Sequence, residues 1–75
     1  MIKVDITFVD GSGYDFEEDD AFYNRFLELR ESGAEGKKLI VNLLSDDWAA
    51  PPKGIRISGT LENGSPVEDA YIPYK

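Results

Sequence analysis

The 75-residue chain contains neither cysteine nor histidine. That excludes disulfides, thiol nucleophiles, imidazole acid–base catalysis and the usual zinc and haem ligation. No apolar run approaches the roughly 20 residues a membrane helix needs, and no cleavable signal pattern opens the chain. The expected location is the cytoplasm, which the lack of cysteine also fits. Basic residues are scarce: eight Lys and Arg stand against fifteen Asp and Glu, a formal charge of −7. Nucleic acids and anionic membranes are recognised by basic stripes, and here the basic residues are scattered, so neither is an expected partner. A basic protein partner is electrostatically favoured, and the same charge also keeps a small protein soluble.

What is present is a globular composition. Hydrophobic residues make up 41% and aromatics 12%, too much for a disordered chain. Residues 1–75 read as one small, complete domain without repeats, linkers or low-complexity tracts. Residues 2–9 alternate strictly, with Ile2, Val4, Ile6 and Phe8 on one side and Lys3, Asp5 and Thr7 on the other. Period two predicts a half-buried strand. Asp10-Gly11-Ser12-Gly13 breaks it. An amphipathic helix is predicted over 17–32, with Asp15 as N-cap, Glu18 completing a capping-box variant and Gly33 as the C′ glycine. Phe22, Phe26 and Leu29 fall on its inner face, and Glu17, Asp20, Asn24, Glu28 and Glu31 on its outer face.

Residues 38–44 are short and rich in aliphatics, which predicts a central strand broken only by Asn42. A loop over 45–54 carries Asp46, Asp47, Trp48 and the stiffening pair Pro51-Pro52. Two further strands, 55–61 and 67–74, flank Asn63-Gly64, a hairpin signal because a type I′ turn needs φ > 0 at both central positions. A two-residue loop there sets Ile55 opposite Ile72, Ile57 opposite Ala70, Arg56 opposite Tyr71, Ser58 opposite Asp69, Thr60 opposite Val67 and Leu61 opposite Pro66. The expected fold class is α+β: a two-layer β-α-β-β-β sandwich of one amphipathic helix on a four-stranded mixed sheet with a C-terminal hairpin. Its core would be Ile2, Val4, Ile6, Phe8, Phe22, Phe26, Leu29, Leu39, Val41, Leu43, Ile55, Ile57 and Ile72. One helix covers one sheet face, so Val9, Ile40, Leu44, Val67 and Tyr71 would crowd the bare one.

Residues 10–18 resemble the latter part of an EF-hand calcium loop running into its exiting helix. A calcium loop would begin on an Asp, but that position falls on Phe8, one residue is missing between Tyr14 and Asp15, and no entering helix precedes it. A glycine turn followed by a capped helix accounts for the same residues. The acidic stripe Glu17, Asp20, Glu28 and Glu31 repeats at helical spacing and would suit a groove built for phosphates. Small acidic inhibitors of DNA-binding enzymes, often phage-encoded, act in this broad way, which is an analogy of class. Trp48 beside Asp46 and Asp47 is a candidate anchor, or a cover for the sheet edge. Arg56 opposite Tyr71 predicts a cross-strand cation–π pair.

No phosphate loop, nucleophile elbow or dinucleotide fingerprint occurs, so no catalytic residue, metal ligand or cofactor is expected. The expectation is a small acidic, non-enzymatic protein-binding module. It would contact a basic partner through Glu17, Asp20, Glu28, Glu31, Asp46, Asp47, Trp48 and Tyr71, the sharper version being a nucleic-acid-mimicking inhibitor. The alternatives are a homodimer paired through the bare sheet face and a weak calcium-binding module on residues 10–18.

Overall fold

The computed structural model describes residues 1–44 and 47–75. It is an α+β fold in which β1 (Ile2–Phe8), β2 (Gly13–Glu18), α1 (Asp20–Glu31), α2 (Gly36–Leu43), β3 (Pro52–Gly59) and β4 (Ala70–Pro73) follow one another. The four strands form one sheet ordered β2-β1-β3-β4, with every pairing antiparallel. The expected order, the single helix and the mixed sheet are corrected in two places.

The first correction concerns residues 13–18, expected as a turn and the first helical turn. They form β2, which pairs Ile2 with Glu18, Val4 with Phe16 and Ile6 with Tyr14. The chain reverses at Phe8-Val9-Asp10-Gly11-Ser12. Gly11 N–H donates to the Phe8 carbonyl, Phe8 N–H to the Ser12 carbonyl, and Gly11 takes φ 90°. This is a three-residue hairpin loop, a tight turn followed by a left-handed glycine. Helix α1 therefore starts later than expected. Asp19, not Asp15, is its N-cap, with a side chain that accepts from Phe22 N–H at 3.2 Å. Its C-terminus closes as expected on Gly33: Gly33 N–H meets the Arg30 carbonyl and Ala34 N–H the Leu29 carbonyl.

The second correction concerns residues 38–44. Residues 38–43 lie in helix α2, with Leu44 as its C-cap, and the buried residues Leu39, Ile40 and Leu43 follow helical spacing rather than the strand alternation Leu39, Val41, Leu43. Asn42, the polar interruption, turns its amide to the Lys38 carbonyl one turn back at 2.7 Å. An eight-residue helix is too short to hold itself in water, so packing must hold it. The Arg25 guanidinium on α1 donates to the Leu43 carbonyl at its C-terminus. At its N-terminus Glu35 makes no side-chain cap, and Lys37 N–H donates instead to the Lys75 carbonyl at 2.9 Å.

With two helices on one face, the core is Ile2, Val4, Ile6, Phe22, Tyr23, Phe26, Leu39, Ile40, Leu43, Ile55, Ile57 and Ile72. Tyr23 and Ile40 join it; Phe8 and Leu29 are only partly buried and pack against it. Val41 is half-buried. The C-terminal hairpin keeps the expected pairs Ile55–Ile72, Arg56–Tyr71 and Ile57–Ala70 by a different route. Its turn repeats the first one: Gly64 N–H bonds the Leu61 carbonyl, Leu61 N–H the Ser65 carbonyl, and Gly64 takes φ 87°. Thr60 consequently faces Pro66 rather than Val67. Val67 N–H reaches the Gly59 carbonyl, so one residue more on the β4 side restores the expected register by Ile57. The expected Ser58–Asp69 pair falls in this irregularity and is not among the strand pairs.

Helix and strand assignments for residues 36–43 make opposite demands on two neighbours. Ile40→Ala should cost about 2–5 kcal/mol, as for a large core side chain, and Val41→Ala less than about 1 kcal/mol. Urea denaturation of the two variants checks this; the reverse order would restore the strand.

Candidate functional site

The register of β1 decides where a functional surface can lie. Its outward side chains and their partners form the rows Glu17–Lys3–Ser58 and Asp15–Asp5–Arg56–Tyr71 on the uncovered sheet face. That face is polar. Of the apolar residues expected there, Ile40 is fully buried in α2, Leu44 is half-buried just beyond it, and Val9 and Val67 lie in turn and hairpin segments outside the strands. Only Tyr71 belongs to the face, and the Arg56 guanidinium lies 5.7 Å from its ring centroid while pairing with the Asp69 carboxylate at 2.9 Å. The expected cation–π pair is present.

The acidic stripe also separates. Glu17 sits on the uncovered face of β2, opposite Lys3. Asp20, at the start of α1, has its carboxylate against the Glu62 N–H at 3.2 Å, tying the C-terminal hairpin loop to the helix. Glu28 and Glu31 remain exposed on α1. The stripe was drawn for a helix that began at residue 17; with β2 in that place, its four carboxylates belong to two elements. The calcium-like segment fails for the same reason. Asp15 and Glu17 point to one sheet face and Glu18 to the other, so they cannot converge. Among the described residues, no group of three or more acidic side chains is arranged to hold a metal ion.

Of the remaining expected residues, Asp46 lies outside the described residues. Asp47 is exposed, and Trp48 is half-buried. Trp48 packs edge-on against Phe8, ring centroids 5.9 Å apart at 60°. This contact opens a cleft of about 430 Å³ lined by Phe8, Asp10, Ser12, Tyr14, Trp48 and the alanines that follow it. The cleft is assembled by three segments. Phe8 ends β1 on its helix-bearing side, Tyr14 begins β2 opposite Ile6 on that same side, and the Asp47–Pro51 stretch crosses above them before β3. Val9 N–H fastens that stretch to the turn by bonding the Pro51 carbonyl at 3.1 Å. Tyr14 is 57% and Val9 62% exposed, which leaves an aromatic and aliphatic lip open to solvent.

Asp10 is the acidic residue among those that line the cleft. Asp10 accepts from both the hydroxyl and the backbone N–H of Ser12. The Ser12 hydroxyl, followed by its N–H, holds the Asp10 carboxyl below its ordinary value. A second cleft, of about 330 Å³, lies between the α1–α2 connection and β4 and is lined by Phe26, Arg30, Glu35, Leu39 and Pro73, among others. It already contains a cation, since Arg30 lies 5.3 Å from the Phe26 ring centroid and 3.8 Å from Glu68.

Reading the sequence alone assigns Phe8 to the core, Asp10 and Ser12 to a turn, and Tyr14 only to the calcium-like segment 10–18. The missed signal is a repeat: Asp10-Gly11-Ser12 and Asn63-Gly64-Ser65 build the same hairpin turn, and in both the Asx oxygen accepts from the Ser N–H at 2.9 Å. Recognising the first as a hairpin would have put Tyr14 beside Ile6. No family model, no curated protein and no solved structure matches the chain.

Because the folded Asp10 pKa lies below its unfolded value, the turn's contribution to stability is complete above the unfolded pKa and is lost as pH falls through the folded one. A carbon-detected NMR titration should put Asp10 below the ordinary aspartate range, with Ser12→Ala moving it back. An unchanged midpoint in the variant would remove the hydroxyl as the cause.

Proposed function

We propose that the protein is a small, non-enzymatic binding module that docks on a basic protein partner through the Phe8–Tyr14–Trp48 cleft. The observation that carries this reading is the coincidence of an open aromatic cleft, exposed apolar residues at Val9 and Tyr14, and the acidic residue Asp10 in the cleft lining. Interfaces concentrate their energy in aromatic anchors near a desolvated centre, and complementary charge at the rim speeds encounter and sets orientation. A net charge of −7 extends that attraction over the whole molecule. Trp48 is retained from the expected contact set, together with Asp47. Glu17, Asp20, Glu28, Glu31 and Tyr71 are not among the residues that line the cleft. Of the stripe that suggested mimicry of a phosphate backbone, Asp20, Glu28 and Glu31 stay on α1 while Glu17 moves to β2, and of the apolar residues that suggested pairing through the uncovered face only Tyr71 lies there.

The test uses three forms of the protein as bait in parallel captures: the natural sequence, Tyr14→Ala/Trp48→Ala, and Glu28→Lys/Glu31→Lys, each checked for folding by circular dichroism. A partner enriched by the natural sequence should be lost from the cleft variant, retained by the helix variant, and held less well as salt rises. Loss from the helix variant alone would return the contact to the α1 carboxylates.

A further inference from the structure

We infer that the cleft between Phe8, Tyr14 and Trp48 is a receptor for a guanidinium group, an arginine side chain presented by the basic partner. This deepens the preceding reading and rests on it. A guanidinium is planar and weakly hydrated, so it stacks on aromatic rings while its N–H fork meets a carboxylate. The cleft offers both kinds of group: the aromatic residues Phe8, Tyr14 and Trp48 and the acidic residue Asp10 line it. Asp10 is ionised throughout the neutral range as any ordinary aspartate is, and the Ser12 hydroxyl and N–H hold its carboxylate in place. A volume of about 430 Å³ falls within the span of small-ligand sites and leaves room for one long side chain.

The protein uses the same recognition twice on itself. Arg56 is held between the Tyr71 ring at 5.7 Å and the Asp69 carboxylate at 2.9 Å, and Arg30 between the Phe26 ring at 5.3 Å and Glu68 at 3.8 Å. In each case an aromatic face and a carboxylate hold one guanidinium. The cleft repeats the ring and the carboxylate, and the residues that line it include no arginine or lysine. Charge complementarity selects a cation over a neutral apolar anchor. The planar walls and a carboxylate acceptor favour guanidinium over the compact, strongly hydrated ammonium of lysine.

Trp48 is the only tryptophan, so its fluorescence reports on the cleft directly. The full chain is titrated to millimolar concentrations with three N-acetylated, C-amidated peptides, Gly-Arg-Gly, Gly-citrulline-Gly and Gly-Leu-Gly, while backbone amide shifts are followed by NMR. The arginine peptide should give a saturable response, with shifts at Phe8, Tyr14 and Ala49. Citrulline keeps the shape without the charge and should bind at least about fivefold more weakly. Asp10→Asn should weaken the arginine peptide by about twofold to fivefold, and Tyr14→Ala by a similar factor. A leucine or citrulline peptide that binds as well as the arginine peptide overturns the guanidinium receptor and leaves an apolar docking cleft standing. Saturation with shifts at Arg56 and Tyr71 instead also overturns the receptor. Silence from all three peptides overturns the receptor and the docking cleft together.

Discussion

In the middle of the sheet, β1 has both of its backbone edges bonded, to β2 on one side and β3 on the other. Its side chains alternate between a face where Ile2, Val4 and Ile6 are at most 2% exposed and a face carrying Lys3, Asp5 and Thr7. A slip of one residue against either neighbour would move three aliphatics into water and three polar groups into the core. Every other placement follows from that alternation. The inward row gives α1 and α2 one surface to cover, and the outward row makes the opposite surface polar. The row ends at Phe8, which is partly buried and packs against both the core and Trp48.

The edges of the sheet are managed by charge and by shortness. On one side, β2 carries Asp15, Glu17 and Glu18, so a second copy adding to it would set carboxylates against carboxylates. On the other, β4 has four residues and ends at Pro73. Much of the acidity of this chain therefore has a structural use: Asp19 caps α1, Asp20 holds a hairpin loop, and Asp10 organises a turn. The acidic side chains beyond these three are spread over β1, β2, α1 and the connections, and the core runs out at the end of the sheet past Phe8. There the end of β1, the start of β2 and the approach to β3 meet without a helix above them.

Two turns with one chemistry show how closely the site depends on local sequence. At Asp10-Gly11-Ser12 and at Asn63-Gly64-Ser65, glycine takes a positive φ that a side chain would resist, and the preceding Asx ties down the following Ser N–H. The first of these turns sets Asp10 into the cleft lining and brings Tyr14 back beside Ile6. The second leaves the C-terminal hairpin one residue out of step until an irregularity near Gly59 corrects it. Equal turns thus have unequal consequences, because only one of them lies next to the Phe8–Trp48 pair.

Strong, uninterrupted local patterns were legible in the sequence. The period-two run of residues 2–8, the helical spacing of Phe22 and Phe26, the glycine at position 33 and the Ile55–Ile72 register all appear in the structure as read. Segments whose patterns are short were not. Residues 36–43 hold aliphatics at 39, 40, 41 and 43, which satisfy a strand as well as a helix; contact with α1 and β4 and the Arg25 bond to the Leu43 carbonyl select the helix. Residues 13–18 are mostly exposed and carry only a short alternation, Tyr14 and Phe16 against Asp15 and Glu17, beside turn and cap residues that read equally well as a helix start; pairing with β1 makes them a strand. The cleft belongs to this second class. Its residues come from separate stretches of chain, and no local periodicity records that folding brings Phe8, Tyr14 and Trp48 to the same end of the sheet.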